Sequence, residues 1–297
     1  MPISTLFTLA SASVIIGVSG LAPGATVRLP TGVRPMVTIN GQTFDPPVTI
    51  IATGADVAGL RISRSKGIIW RGGTIRAPGG KNGGSPIDRG VQILSSQNIR
   101  FDGVTFTGAK NAMVVDESDG LTVINSRFVN LRSDGIDVAG VSNVRIESND
   151  FSDFTPILPV GRSTEPGYVP GDHPDAIQFW QGSAGRPASD VIVRYNRITG
   201  TMQGIGNFGP YGTGHLRMTV EYNQVKTWFP NGISIGNCRG CTVRFNSVEH
   251  VPGGPYRANA SFAGSTGLFC GNRIPDVPNN PGNLACPPAG AVTSPPP

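Results

Sequence analysis

At 297 residues the chain sits at the upper end of what a single domain reaches, and continuous β architectures attain that size without splitting. Forty-one Gly and 26 Pro with only 14% charged residues argue for many short strands and turns rather than helices, and so for an all-β protein. A formal charge of +5 favours an anionic partner, but the basic residues form no Lys/Arg run and no nucleic-acid motif is present, so an acidic polysaccharide fits better than nucleic acid.

The first charged residue is Arg28, so residues 1–25 lack the basic n-region of a secretory signal. Alternation at Val14, Ile16 and Val18, a Pro23-Gly24 turn and the strand Thr26-Val27-Arg28-Leu29 read as the first turns of the fold. No run of about 18 apolar residues is present to span a membrane. Location stays open, with extracellular, periplasmic and virion-associated settings favoured over the cytoplasm.

From about Val37 the chain becomes repetitive. Asp102, Ser126, Asn149, Asn196, Asn223, Asn246 and Asn272 form a ladder with steps of 24, 23, 47, 27, 23 and 26 residues, by subtraction of successive positions. Before each step lies a strand with alternate apolar residues, such as Val144-Arg145-Ile146 or Val191-Ile192-Val193, and after it a shorter one. Short strands repeating every two dozen residues, with no helical segment, predict a parallel β-solenoid with coils about 4.8 Å apart. In that setting the Asn column is structural, hydrogen-bonding from coil to coil.

The 47-residue step reads as one coil carrying a long Pro/Gly-rich loop over 155–172, and long loops in compact domains tend to be functional. A second excursion covers 208–215. The solenoid domain is expected over 1–277, followed by a Pro/Gly-rich tail at 278–297 that forms a poorly ordered cap or linker. The four Cys make no zinc site, because Cys238 and Cys241 are a lone C-x-x-C. Cys241 falls in an apolar register, as a buried thiol, whereas Cys270 and Cys286 are placed to pair in an oxidising compartment.

Each coil carries a third strand. Its first position runs Arg89, Asn111, Asp134, Asp175, Gln203, Asn231; its inward position runs Val91, Met113, Ile136, Ile177, Ile205, Ile233; its next outward position runs Gln92, Val114, Asp137, Gln178, Gly206, Ser234. Asp134 and Asp137 are therefore expected beside Asp175 and Gln178, with His173 at the entry and Gln203 and Asn231 continuing the groove. Singly, each acid suits a solenoid turn. Clustered, they need protonation, a metal or basic partners to offset their repulsion, and Arg89, Lys110 and Arg132 are the available cations.

Three chemistries stay open. Two acids act as general acid and base on a glycosidic bond; or Asp134, Asp137 and Asp175 hold Ca²⁺ against a uronate while His173 removes its α proton; or the row binds sugar hydroxyls without catalysis. Trp180, Phe208, Tyr211 and Trp228 lie near strand ends, where they either stack on sugar faces or cap apolar rungs.

Over Val37 to Ile274 the repeat pattern resembles the pectin-lyase-like superfamily of right-handed parallel β-helices. Ser133-Asp134-Gly135-Ile136-Asp137 looks like the Asn-Thr-Asp motif of polygalacturonase-type glycoside hydrolases, and Asp175 falls at the second acid of their Asp-Asp pair. Pro174 stands at the first acid, Asn231-Gly232-Ile233-Ser234 replaces the His-Gly element, and no Arg-Ile-Lys follows. Asp172-His173-Pro174-Asp175 is similar, with His and Pro exchanged, to the Asp-Pro-His-Asp of mannuronan epimerases, where a His works on the α proton of a uronate.

The resulting expectation is a β-helix that cleaves a uronate-containing polysaccharide, with β-elimination slightly favoured over inverting hydrolysis. His173, Asp175, Asp134 and Asp137 would carry the chemistry. Arg89, Lys110, Arg132, Gln178, Trp180, Gln203, Tyr211 and Asn231 would bind substrate. The rival from another class is a non-catalytic glycan-binding tailspike, adhesin or scaffold, and assembly as a homotrimer stays open.

Overall fold

The computed structural model describes residues 20–288 except 162–163, 184, 208–213 and 255, together with a strand at Phe7–Thr8. Val14, Ile16, Val18, Phe208 and Tyr211 lie outside the described residues. The chain winds through three parallel sheets, one with 12 described strands and two with nine each. In a representative coil, Asp119–Ile124 belongs to the first sheet, Arg127–Val129 to the second and Ile136–Ala139 to the third. Each strand pairs with its equivalents one coil away, which is the parallel β-helix expected from the repeat.

The turn from first to second sheet is tight. Asn125, Ser148, Tyr195, Tyr222 and Phe245 each adopt a left-handed φ between 51° and 59°, and the next residue turns its side chain inward. At Asn149, Asn196, Asn223, Asn246 and Asn272 that side chain is buried. The Asn223 Oδ1 accepts from the Asn196 backbone N–H at 3.0 Å and side-chain amide at 2.9 Å, while its own amide donates to the Val193 and Glu221 carbonyls and to Asn246 Oδ1. Every polar atom has a partner, as a buried amide requires. Ser126 occupies the same place and accepts from the Val104 N–H at 3.1 Å. The ladder is therefore headed by Val104 and not by Asp102, which pairs instead with Ile124. A second ladder, absent from the sequence reading, runs through Ser65, Ser96 and Ser118 at the turn from third to first sheet.

Inside the coils the apolar rows stack in register. Phe106, Phe128 and Phe151 are parallel rings with centroids 4.6 and 4.5 Å apart. Val144 pairs with Val191 across the 47-residue step, so the extra residues form a loop on one coil, as the absence of an alternating strand within it implied. From Gly72 onward the first-to-second turn keeps two residues, and variable length falls at the two edges of the third sheet: at its entry in 77–88, 153–174 and 251–258, and at its exit in 181–188. That sheet is the walled face of the molecule.

Two expectations are corrected. Cys241 is not a free thiol: it pairs with Cys238, while Cys270 pairs with Cys286 as expected, and no cysteine is free. The segment from Pro278 to Pro288 is folded rather than poorly ordered. A 3-10 turn at Pro281–Asn283 presents the Gly282 and Leu284 carbonyls to the N–H groups of Asn272 and Gly271, at 2.9 and 2.6 Å, and so covers the open end of the last coil.

Replacing Asn223 by Ala orphans buried groups on both neighbouring coils and is expected to cost about 3 kcal/mol or more. Asn223→Ser, which reproduces the Ser126 arrangement, should cost less. Urea denaturation of the two variants checks the order.

Candidate active site

In the third sheet two consecutive residues turn inward, as in Ala112-Met113, Gly135-Ile136 and Ala176-Ile177. This break in strict alternation is what allows residues three apart, such as Asp134 and Asp137, to share the outward face. Glycine is required at 135, because a Cβ there would lie 2.4 Å from the Ala176 carbonyl and 2.8 Å from the Phe151 ring. The register is the one expected: Asp137 pairs with Gln178, and Asp175 with Gln203.

Asp134 and Asp175 are 8% and 1% exposed, Gln178 and Gln203 7% and 8%. The three acids differ in their partners. Asp134 accepts from the Asp175 backbone N–H at 3.1 Å, the Asn111 amide at 2.9 Å and the Ser133 hydroxyl at 3.2 Å. Asp137 takes no hydrogen bond from any described residue, and neither buried oxygen of Asp175 has a partner. Burial, reinforced by the charges of Asp134 and Asp137, pushes Asp175 up to about 9. Burial likewise raises Asp134 to about 7, against the pull of its hydrogen bonds, and Asp137 to about 6, where Arg89 opposes the rise and Asp116 adds to it. At neutral pH the row holds one carboxylic acid beside carboxylates able to ionise.

The loop over 153–174 leads into this row at Asp175. Its anchor is Asp172, bound by the Arg132 guanidinium through two contacts of 2.9 and 3.0 Å and by the Ile157 N–H at 2.8 Å. Burial raises the Asp172 carboxyl, but these donors outweigh it and hold it below the usual carboxylate range. Arg132 also reaches the Lys81 carbonyl and the Asn82 side chain, and Lys81 donates to Thr155 at 2.7 Å, so the entry loops 77–88 and 153–174 are tied together.

A right-handed β-helix region model matches residues 89–271, more than half of the chain. The protein belongs to this right-handed β-helix family. Among solved structures, this β-helix is similar to the Dettilon tailspike protein (gp208), with 13% identity and a TM-score of 0.49, covering 81% of this chain and 53% of that one. It is also similar to PfbA, a surface adhesin of Streptococcus pneumoniae, with 11% identity and a TM-score of 0.33, covering 77% and 73%. The chain thus spans about half the length of the tailspike. No curated protein matches it in sequence.

On the β-helix the expected residues separate into groups. Asp134, Asp137, Asp175, Gln178, Gln203 and Asn231 share the third-sheet face as expected. Arg89 and Lys110 lie half-buried beside them, and neither makes an ion pair among the described residues. Arg132 does not compensate the acid row: its charge is spent on Asp172. His173 is exposed and lines a neighbouring groove with Gln203 and Asn231 instead of facing Asp175's rung alone. Trp180 is exposed on the outward row that also carries Leu94, Asp116 and Ala139, and Trp228 is half-buried against Gly254.

Among the described residues no three Asp, Glu, His or Cys side chains converge as a metal chelate, so the calcium expectation for Asp134, Asp137 and Asp175 gains no ligand set. The sequence reading missed Asp116, which burial and then Glu117 push upward. The alternation Val114, Asp116 was the signal for it.

Two measurements follow from this site. The raised Asp175 pKa means that the folded state binds its proton more tightly than the unfolded chain, whose carboxyl titrates near 3.9. Its stabilising contribution is full below about pH 4 and is lost as pH rises toward about 9. Asp175→Asn should therefore be more stable than the parent, by a margin growing by about 2–4 kcal/mol between pH 5 and pH 8 in thermal or urea unfolding. Arg132→Ala should leave Asp172 unpaired and accelerate proteolysis within 155–172 about tenfold or more, with the coils unaffected.

Proposed function

We propose that the protein hydrolyses an acidic polysaccharide lying along the third sheet, with Asp175 as general acid and Asp137 as general base. The observation that carries this is the presence of two carboxyls without hydrogen-bond partners, one at about 9 and one at about 6, on the same face. Environments that drive two acids apart in this way are how a site holds an acid and a base at one pH.

In the step, the Asp175 O–H gives its proton to the glycosidic oxygen as the C–O bond breaks. A water adds to the anomeric carbon and yields its proton to the Asp137 carboxylate. Asp137 stands one rung across and three residues along from Asp175, a longer path than the rung step of about 4.8 Å. That separation suits the intervening water of an inverting mechanism better than the directly adjacent Asp134 does. Asp134, tied to the Asp175 backbone, is a positioning residue. The two disulfides fit an oxidising setting.

Elimination through His173 is disfavoured by the diversion of Arg132 to Asp172, which removes one of the cations expected to neutralise a uronate. Incubation with a panel of acidic polysaccharides separates the readings. Hydrolysis gives new reducing ends without the ultraviolet absorbance of an unsaturated product, a rate that rises through about pH 6–7 and falls through about pH 9, and a loss of about 10²–10⁴ in Asp175→Asn. Unsaturated ends would establish elimination instead. Binding with no turnover by the parent protein would establish the non-catalytic glycan-binding alternative.

A further inference from the structure

The outward row that contains the acids changes character along the helix axis. In successive rungs it runs Arg89, Asn111, Asp134, Asp175, Gln203, Asn231, so a cation and one amide lie on one side of the acids and two amides on the other, in steps of about 4.8 Å. On the Arg89 side, Lys110 adds a second cation without an ion-pair partner among the described residues, close enough to act on both Asp134 and Asp172.

The opposite side is built differently. A groove of about 290 Å³ opens beside Gln203 and Asn231, walled by Tyr168 from the inserted loop and by Phe229 and Tyr256 from the turns that enter the next two coils. The Phe229 and Tyr256 rings lie parallel, 6.1 Å apart. Among the described residues no Lys or Arg lines this groove, and the carboxylate that does, Asp172, is already paired with Arg132. An anionic sugar there would meet aromatic π faces with no unpaired cation among the described residues to offset its charge, which is unfavourable. The C–H face of a neutral ring finds flat apolar walls, with the Gln203 and Asn231 amides and the His173 ring for its hydroxyls.

We propose that the acids sit between two unlike subsites, an anionic-sugar subsite at Arg89 and Lys110 and a neutral-sugar subsite at Phe229 and Tyr256, so that the glycan recognised carries charged and uncharged sugars in sequence. The assignment rests on the hydrolytic reading for the row between the subsites. It adds that a homopolymer of uronate is a poor substrate, whereas an alternating polymer of uronate and neutral hexosamine or hexose is a good one.

Ligand-observed NMR with two small probes, a neutral methyl hexoside and the corresponding methyl uronoside, tests the subsites without requiring turnover. The neutral probe should bind the parent protein and bind Phe229→Ala and Tyr256→Ala about tenfold more weakly, as loss of an aromatic wall predicts. Lys110→Ala should weaken only the uronoside. Tyr222→Ala, on the exposed aromatic stack at another corner, should change neither. Phe229→Leu and Tyr256→Leu keep apolar volume without the flat face, and serve if the alanine variants unfold by circular dichroism. The proposal is overturned if the neutral probe does not bind, if the wall variants leave its binding unchanged, or if the uronoside competes for the same aromatic wall. Binding as expected with no cleavage of any polymer sinks the hydrolytic reading and leaves the subsites standing; cleavage of uronate homopolymer with no neutral-probe binding sinks the subsites alone.

Discussion

Parallel, in-register stacking is the constraint from which the rest of this molecule follows. It places the same strand position of every coil in one column at a spacing of about 4.8 Å, and therefore makes Asp134 and Asp175 neighbours although 41 residues separate them. The columns are held in register by the first-to-second turn, where in the coils of the Asn column a left-handed residue and an inward Asn span two residues each time. From Gly72 onward the long insertions fall at the edges of the third sheet. The walls of a groove and the acids on its floor are thus two results of one geometry.

The same stacking creates two polar columns with opposite outcomes. In the Asn column each amide is both donor and acceptor, so every rung satisfies the next and burial is stabilising. In the acid column ionised carboxylates can only accept, and neighbours repel. Asn111 and Ser133 relieve Asp134, but nothing relieves Asp175, which is 1% exposed with both oxygens lacking partners. A fold able to build a complete buried amide ladder elsewhere does not need such a residue for stability. Departures of this kind from otherwise consistent local rules are characteristic of functional positions.

The coil architecture and the column assignments were legible in the sequence because both are periodic. The inward series Val91, Met113, Ile136, Ile177, Ile205, Ile233 marks the register without ambiguity, and the outward residues follow by counting. What was not legible lacks a period. Arg132 meets Asp172 through a loop whose path no repeat specifies. Tyr168, Phe229 and Tyr256 come together from three separate connections. Asp102 was placed in the ladder because it occupies a strand end, whereas the turn residue Val104 holds that position and shows no polar signal at all. The Cys238–Cys241 pairing was missed for a related reason, since an apolar register describes a thiol and a disulfide equally well.

The anchoring of the inserted loop also shapes the chemistry beneath it. Arg132 is the cation nearest in sequence to Asp134 and would be the natural counter-charge for the row. Its guanidinium instead forms a bidentate contact with Asp172, the geometry in which arginine binds a carboxylate best. Anchoring the loop thus takes a positive charge away from the acid row. Lys110 and Arg89 reach Asp134 and Asp137, but neither cation is among the influences on Asp175, whose environment is burial and two like charges. Retaining its proton is the response left to that carboxyl. Loop anchoring and the lack of a counter-charge beside Asp175 are therefore linked consequences of where one arginine finds its partner.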